Sequence, residues 1–350
     1  MRILYLTGVQ LYRDRLREVN NTYRAMIFGA LPDVILGGPG LCGAPASYPL
    51  HLPDYVRRVG ADVVLLSDPW HDFWTPCPEY PDCPPLYSGI DDLAGIGVGL
   101  VIESGDSQFY WAETVRHLAA NPRSAVAIRS EAHRWRFETP NGTGECWGLD
   151  GWTRQEAMGL GVLNIPSDRP ILYLPHGAYD DMVAASLGVE KRYDVAVSGS
   201  LDPENYPARA RVATALRLAD AADLRVDWIP HPADGGTDIG PAFWRRIAAS
   251  RIAVAGTNAY GCLTMRYLEI PASGALAIGD VPAEAPDLRD HMIAVDPDDG
   301  PHQILAKIRE AIAAPADRVA RARAHVLSRR SFRSIAAGAV GEIRALWPGG

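Results

Sequence analysis

Short runs of uninterrupted apolar residues recur along the chain, each set apart from the next by a more polar stretch. In the first half they are RILYLTG (2–8), DVILGG (33–38), ADVVLLSD (61–68), GVGLVIESGD (97–106) and SAVAIRS (124–130). Continuous apolar runs rich in Val, Ile and Leu suit parallel strands covered on both faces. Helices are predicted near 12–30, 50–59 and 109–120. Repeated β-α order predicts an open parallel sheet with right-handed crossovers.

Residues 69–90, PWHDFWTPCPEYPDCPPLYSG with its flanks, break this rhythm and read as a long loop dense in Pro, aromatics and Cys. Such a loop after a strand's carboxyl end is either a ligand-facing segment or a variable surface insertion. ILYLPHG (171–177) then leads into a second alternation. Its strands are predicted at 193–200, 224–229, 251–256, 275–280 and 291–296, and its helices at 207–219, 241–249, 263–272 and 302–313. The tail from Pro315 to Pro348 is predicted helical, with an Arg-rich face at Arg318, Arg321 and Arg323. The expected organisation is two tandem α/β domains at 1–170 and 171–330, with 331–350 a helix packing back on the first. A cleft between two such domains is a favoured ligand position.

Composition narrows the function classes. The 350 residues are long enough for two cores, and 47% apolar with 22% charged is ordinary for a globular protein. A net charge of −8 disfavours broad binding to nucleic acid or to an anionic membrane. Lysine occurs only at Lys191 and Lys307, so arginine supplies nearly all positive charge. No apolar run approaches the ~20 residues of a membrane span, and MRILYLTG is too short for a signal sequence. Five scattered cysteines (42, 77, 83, 146, 262) form no CxxC, so zinc is not indicated and no metal is expected. Free thiols in a reducing cytoplasm are the expectation.

The richest segment is RIAVAGTNAYGCLTMRYLEIPASGALAIGD (251–280), which reads as strand, glycine-bearing loop, helix, glycine stop and strand. A helix beginning near Leu263 or Thr264 would turn its free N–H groups and positive dipole end toward an anion, with Asn258, Tyr260 and Gly261 in the loop before it. Glu269 lies among Leu268, Ile270 and Ala272, where a carboxylate is costly to bury without a partner. Ribose hydroxyls are one such partner. Arg266, three residues away on the same face, is the other: a solvated intrahelical ion pair. Ser198-Gly199-Ser200 ends a strand and forms the second phosphate-facing turn, with Arg209 and Arg211 entering the next helix.

In the first domain, Gly8 follows the first strand, and His71 and Trp74 lie in the aromatic loop, which is either a ligand-facing surface or a small local core. Asp106 and His133 are the candidate bases, with Glu103 nearby, each carrying the ordinary alternative of a capping or surface role. No G-x-S-x-G, Walker, HExxH or G-x-G-x-x-G pattern occurs in a suitable place, which disfavours those hydrolase, NTPase, metalloprotease and dinucleotide chemistries.

Taken together, YLPHG (173–177), YDVAVSGS (193–200) with YPAR (206–209), and above all MRYLEIPASGALAIGD (265–280) resemble glycosyltransferases of the GT-B architecture. They are most similar to the bacterial family-1-like or spore-maturation-type group. The resemblance covers roughly residues 170–345 and implies two tandem Rossmann-like, doubly wound domains with an interdomain cleft. It implies sugar transfer from a nucleoside-diphosphate sugar to a small-molecule or glycan acceptor, with no cofactor beyond the donor and no necessary metal. Glu269 would then bind the donor ribose, Asn258 to Thr264 the diphosphate and sugar, and Gly199 and Ser200 the phosphates, with Arg209 and Arg266 completing the donor-binding set. The family's second glutamate, eight positions upstream, is here Gly261, and its phosphate-neutralising lysine is absent. A nucleotide-sugar epimerase and a non-catalytic nucleotide-sugar-binding protein are the alternatives.

Overall fold

The computed structural model describes residues 1–7, 19–38, 49–67, 85–104, 111–129, 169–230, 238, 240–258, 261–313 and 317–348. The chain forms two compact units, Met1–Pro175 with Arg333–Gly350, and His176–Phe332.

The first unit is built on a six-stranded sheet: β1 (Ile3–Leu6), β2 (Val34–Gly37), β4 (Val63–Leu66), β6 (Gly99–Ser104), β7 (Ser124–Ile128) and β8 (Ile171–Tyr173). The order is β2-β1-β4-β6-β7-β8, parallel throughout. Every residue of β1 and β4 is buried, as uninterrupted ILYL and VVLL demand of strands covered on both sides. Helices α1 (Val19–Gly29), α2 (Leu52–Val59) and α3 (Trp111–Ala120) belong to this unit, and Tyr55 and Val56 of α2 join Leu4, Leu6, Val64 and Leu66 in its core. Because β8 pairs with β7, the chain divides after Pro175 rather than at residue 170. The end of the segment read as a loop forms a strand: β5 (Tyr87–Ser88) pairs with β3 (Leu50–His51), and residues 69–84 lie outside the described residues. Two-residue strands carry too little periodicity to be visible in sequence.

The second unit holds β9 (Tyr193–Ser198), β10 (Val226–Ile229), β11 (Ser250–Val254), β12 (Leu276–Gly279) and β13 (Ile293–Ala294). They form a parallel sheet in the order β10-β9-β11-β12-β13. The chain runs from β9 outward to β10, then returns to the other flank of β9 as β11. The order therefore reverses between β9 and β11, and in open α/β sheets ligands bind outside the carboxyl ends of the strands at such a point. Helices α4 (Asp180–Ser186), α5 (Pro207–Leu216), α6 (Pro241–Ala248), α7 (Arg266–Ala272), α8 (Pro301–Ala313) and α9 (Asp317–Arg329) complete this unit.

The glycine stop after α7 is a Schellman motif. Gly274 adopts φ +81°, its N–H bonds to Pro271 O at 2.9 Å, and Ala275 N–H bonds to Ile270 O at 3.1 Å. Arg323 of α9 adds two donors to the Ala272 carbonyl, at 2.8 and 3.0 Å. The expected Arg-rich face of the tail is thereby corrected. Arg318 donates to Met292 O, Arg323 turns onto α7, and Arg321 pairs with Asp317 in an exposed position. Residues five apart diverge by about 140° around a helix, so 318 and 323 cannot share a face.

The tail is two helices, parted where the sequence sets off 331–350. Ser331 bridges to Ala178 and Phe332 N–H bonds to Ala178 O at 2.9 Å, which interrupts the helical run. Beyond it α10 (Phe332–Leu346) joins the first unit, where Arg344 pairs with Asp33 at 3.0 Å and the Trp347 ring lies over Gly99. Among the described residues, no helix is long and apolar enough to cross a membrane.

Candidate functional site

The carboxyl edge of β9 and β11 gathers most of the residues singled out in the second half of the sequence. Beyond β9 come Ser198, Gly199 (φ +83°) and Ser200, and α5 then begins at Pro207, whose missing N–H suits a first helical turn. One residue pair inside that turn sits Arg209, buried although it is the long cation of the segment. Its Nη1 donates to Ser200 O at 3.0 Å, and the guanidinium lies 4.2 Å from the Tyr206 ring centroid. Two glycines make room for it: a Cβ at residue 199 would stand 2.7 Å from Nη1, and one at residue 256 would stand 3.2 Å from the Arg209 Cβ. Arg209 Nε and Ser198 Oγ are buried with no hydrogen-bond partner among the described residues. Burial, and next the charge of Arg266, push the Arg209 pKa down to about 10. It remains a cation at neutral pH, and an anion beside it would relieve both causes.

Beyond β11 the loop is tied down from within. Asp280, at the end of β12, accepts from Thr257 N–H at 3.0 Å and from Tyr267 O–H at 2.7 Å, and pairs with the Thr257 hydroxyl. Burial, then the Asp280 charge, raise the Tyr267 pKa. Thr264 Oγ1 donates to Gly256 O at 3.0 Å. The amides expected to be free for phosphate are taken. Gly261 N–H bonds to Asn258 O at 2.9 Å, Cys262 N–H bonds to Asn258 Oδ1 at 3.0 Å, and Leu263 N–H bonds to the Glu284 carboxylate. For the same reason the helix begins at Arg266 and not at 263 or 264. Side chains that claim local N–H groups compete with helix formation.

Glu269 is buried in α7. Its Oε1 accepts from the indole N–H of Trp244 on α6 at 3.1 Å, and its Oε2 pairs with Arg266. The Arg266 guanidinium in turn lies 4.2 Å from the Phe243 ring centroid. The ion pair of the sequence reading therefore exists, but it is enclosed against an aromatic helix rather than solvated. Trp244 and Asp280 were not singled out from sequence. Asp280 had a signal in its place at the end of a strand; Trp244 had none, since its partner is on another helix.

In the first unit the carboxyl ends of β6 and β7 hold Glu103, which accepts from Arg129 Nε at 2.8 Å and pairs with Arg24. All three side chains are buried. Both guanidiniums engage the same oxygen, Oε1, so Glu103 is the acceptor of a buried ion-pair cluster. Gly8, His71, Trp74, Asp106, His133 and Tyr260 lie outside the described residues. Among the described residues, no group of three His, Cys, Asp or Glu is placed to hold a metal ion.

No protein-family model matches the chain, and no curated protein matches it. Among solved structures, a glycosyltransferase from Rickettsia africae is similar with a TM-score of 0.57 at 12% identity, over 100% of this chain and 99% of that one. Anabaena HepE in complex with UDP gives a TM-score of 0.49 at 12% identity, over 99% of this chain and 100% of that one. AviGT4, a glycosyltransferase involved in avilamycin A biosynthesis, gives 0.44 at 16% identity, over 85% and 88%. The likeness to the Rickettsia protein is one of fold, and that fold is GT-B: two tandem, doubly wound, Rossmann-like units.

Proposed function

We propose that this protein is a glycosyltransferase whose second unit binds a nucleoside-diphosphate sugar at the crossover between β9 and β11. The observation that carries the reading is Arg209: a buried guanidinium at the fold's ligand position, whose Nε, like the Ser198 hydroxyl at the end of the adjoining strand, has no hydrogen-bond partner among the described residues. Arginine suits bidentate phosphate contacts, and it takes the part of the lysine that the chain lacks. Glu269 takes the ribose hydroxyls. In the transfer, the acceptor oxygen bonds to the anomeric carbon as the bond from that carbon to the diphosphate oxygen breaks. Arg209, with Arg266 beside it, stabilises the charge that collects on the leaving group, and no metal is required by this scheme. An inverting reaction needs a first-unit base to take the hydroxyl proton, for which Asp106 and His133 are the sequence candidates. The finer affiliation with the family-1-like or spore-maturation-type bacterial group rests on the residues of 173–280 alone, and a cytoplasmic setting on the scattered cysteines of the sequence.

The test is a thermal-shift panel of ADP, CDP, GDP and UDP on the native protein and on Arg209→Gln. Saturation at ~100 times the dissociation constant adds about 2.7 kcal/mol, a shift of several degrees. One diphosphate should give that shift with the native protein and little with Arg209→Gln. No shift with any of the four at millimolar concentration would overturn the donor-site assignment.

A further inference from the structure

The Glu269 carboxylate is set by a residue that sits on another helix. Trp244, on α6, is buried and gives its indole N–H to Oε1 at 3.1 Å, while Arg266 engages Oε2 from within α7. A carboxylate on a flexible side chain has two free torsions beyond its Cβ and gains little from hydroxyls it must first be ordered to meet. Here one donor on each oxygen fixes the plane of the group, and each oxygen keeps a second lone pair. The Trp244 donor is rigid because Phe243, Trp244 and Ile247 are packed in one buried face of α6. The Arg266 donor is held by its stacking on Phe243 of the same helix. Both contacts to Glu269 thus lead back to α6.

We infer that Trp244 is a positioning residue for ribose recognition: its indole N–H orients the Glu269 carboxylate toward the 2′ and 3′ hydroxyls of the bound nucleotide. The inference rests on the donor-site reading given above. It adds that the preference for a ribonucleotide depends on Trp244, a residue that acts through Glu269.

A purely structural role for the indole predicts lower stability and nothing more. A positioning role predicts a change in one ratio. The experiment measures dissociation constants by calorimetry for ADP, CDP, GDP and UDP and for their 2′,3′-dideoxy counterparts. The proteins compared are native, Trp244→Phe, Glu269→Ala and the double variant. The native protein should prefer the ribonucleotide, and Trp244→Phe should lower that preference about five- to tenfold while dideoxy binding stays within about twofold. The double variant should discriminate no worse than Glu269→Ala alone, because the indole acts through the carboxylate. If Trp244→Phe fails to fold, site-specific replacement by benzothienylalanine keeps the shape of the indole and removes only the N–H. An unchanged preference in either variant overturns the positioning role, as does a native protein that binds both forms equally. Absence of any diphosphate binding by the native protein is a different result and overturns the donor site itself.

Discussion

Gly199 and Arg209 are fitted to one another: the place a side chain would take on Gly199 is 2.7 Å from the Arg209 guanidinium, and the glycine holds φ +83°. The turn after β9 can pass that close only without a Cβ. Gly199→Ala should cost about 1–2 kcal/mol from the left-handed backbone alone, and more if the end of the Arg209 side chain cannot give way. Urea unfolding should show the loss as a lower midpoint with an unchanged slope. A variant as stable as the native protein would mean the turn relaxes freely, and that the fit between these residues is not required.

The ion cluster of the first unit predicts a larger effect. Glu103 takes donors from Arg24 and Arg129, and all three are buried. Glu103→Gln removes one charge from the cluster and leaves two guanidiniums in a low-dielectric setting. Breaking a buried pair in this way costs about 3–5 kcal/mol. Asp317→Asn, which breaks an exposed helical pair with Arg321, should change stability by no more than about 0.5 kcal/mol. Denaturant unfolding of the two variants side by side checks the contrast, and equal losses would contradict it.

What was legible in the sequence follows from the range of the interactions. Runs such as ILYL and VVLL could be read as strands because burial on both faces leaves no polar position in them. Gly274 could be read as a helix stop because a left-handed residue is a local requirement. The start of α7 was misplaced because Glu284, far along the chain, takes the Leu263 amide. Trp244 and the partners of Glu103 were missed for the same reason. Their partners are 25 and 26 to 79 positions away, and no periodicity in the chain announces such pairs. The site's polar contacts are tertiary products; its turns are local ones.

Gly261 stands where the resemblance to GT-B glycosyltransferases leads one to expect a glutamate, and its backbone resists that residue. It holds φ +71°, with open space where its Cβ would be. Space is therefore no obstacle, but conformation is. Gly261→Glu should lose about 1–2 kcal/mol in urea unfolding through the left-handed strain. If the proposed sugar transfer is measured alongside, its rate should not rise above that of the native protein, because the flanks of the loop are held through Asn258, Glu284 and Asp280. A stable variant with faster transfer would show that the loop adapts to carry the missing carboxylate.

His291 and His325 stack with ring centroids 3.9 Å apart in the second unit. Burial first, then the charge of His325, lower the His291 pKa from its ordinary value; Asp290 and Asp287 oppose this and Arg321 adds to it. A folded-state pKa below the unfolded one means that the unfolded chain binds the proton more readily. The stabilising contribution is therefore present above about pH 6.5 and is lost as pH falls from there through the folded-state value. Asp287, which pairs with His325 and Arg330, has a net lowered pKa despite its burial and contributes in the same direction at lower pH. His291→Phe keeps a ring against His325 and removes the titrating group. Melting temperatures recorded from pH 7 to pH 5 should fall less steeply for His291→Phe than for the native protein, and the two curves should run parallel above pH 7. Parallel curves across the whole range would show that protonation of His291 is not coupled to unfolding.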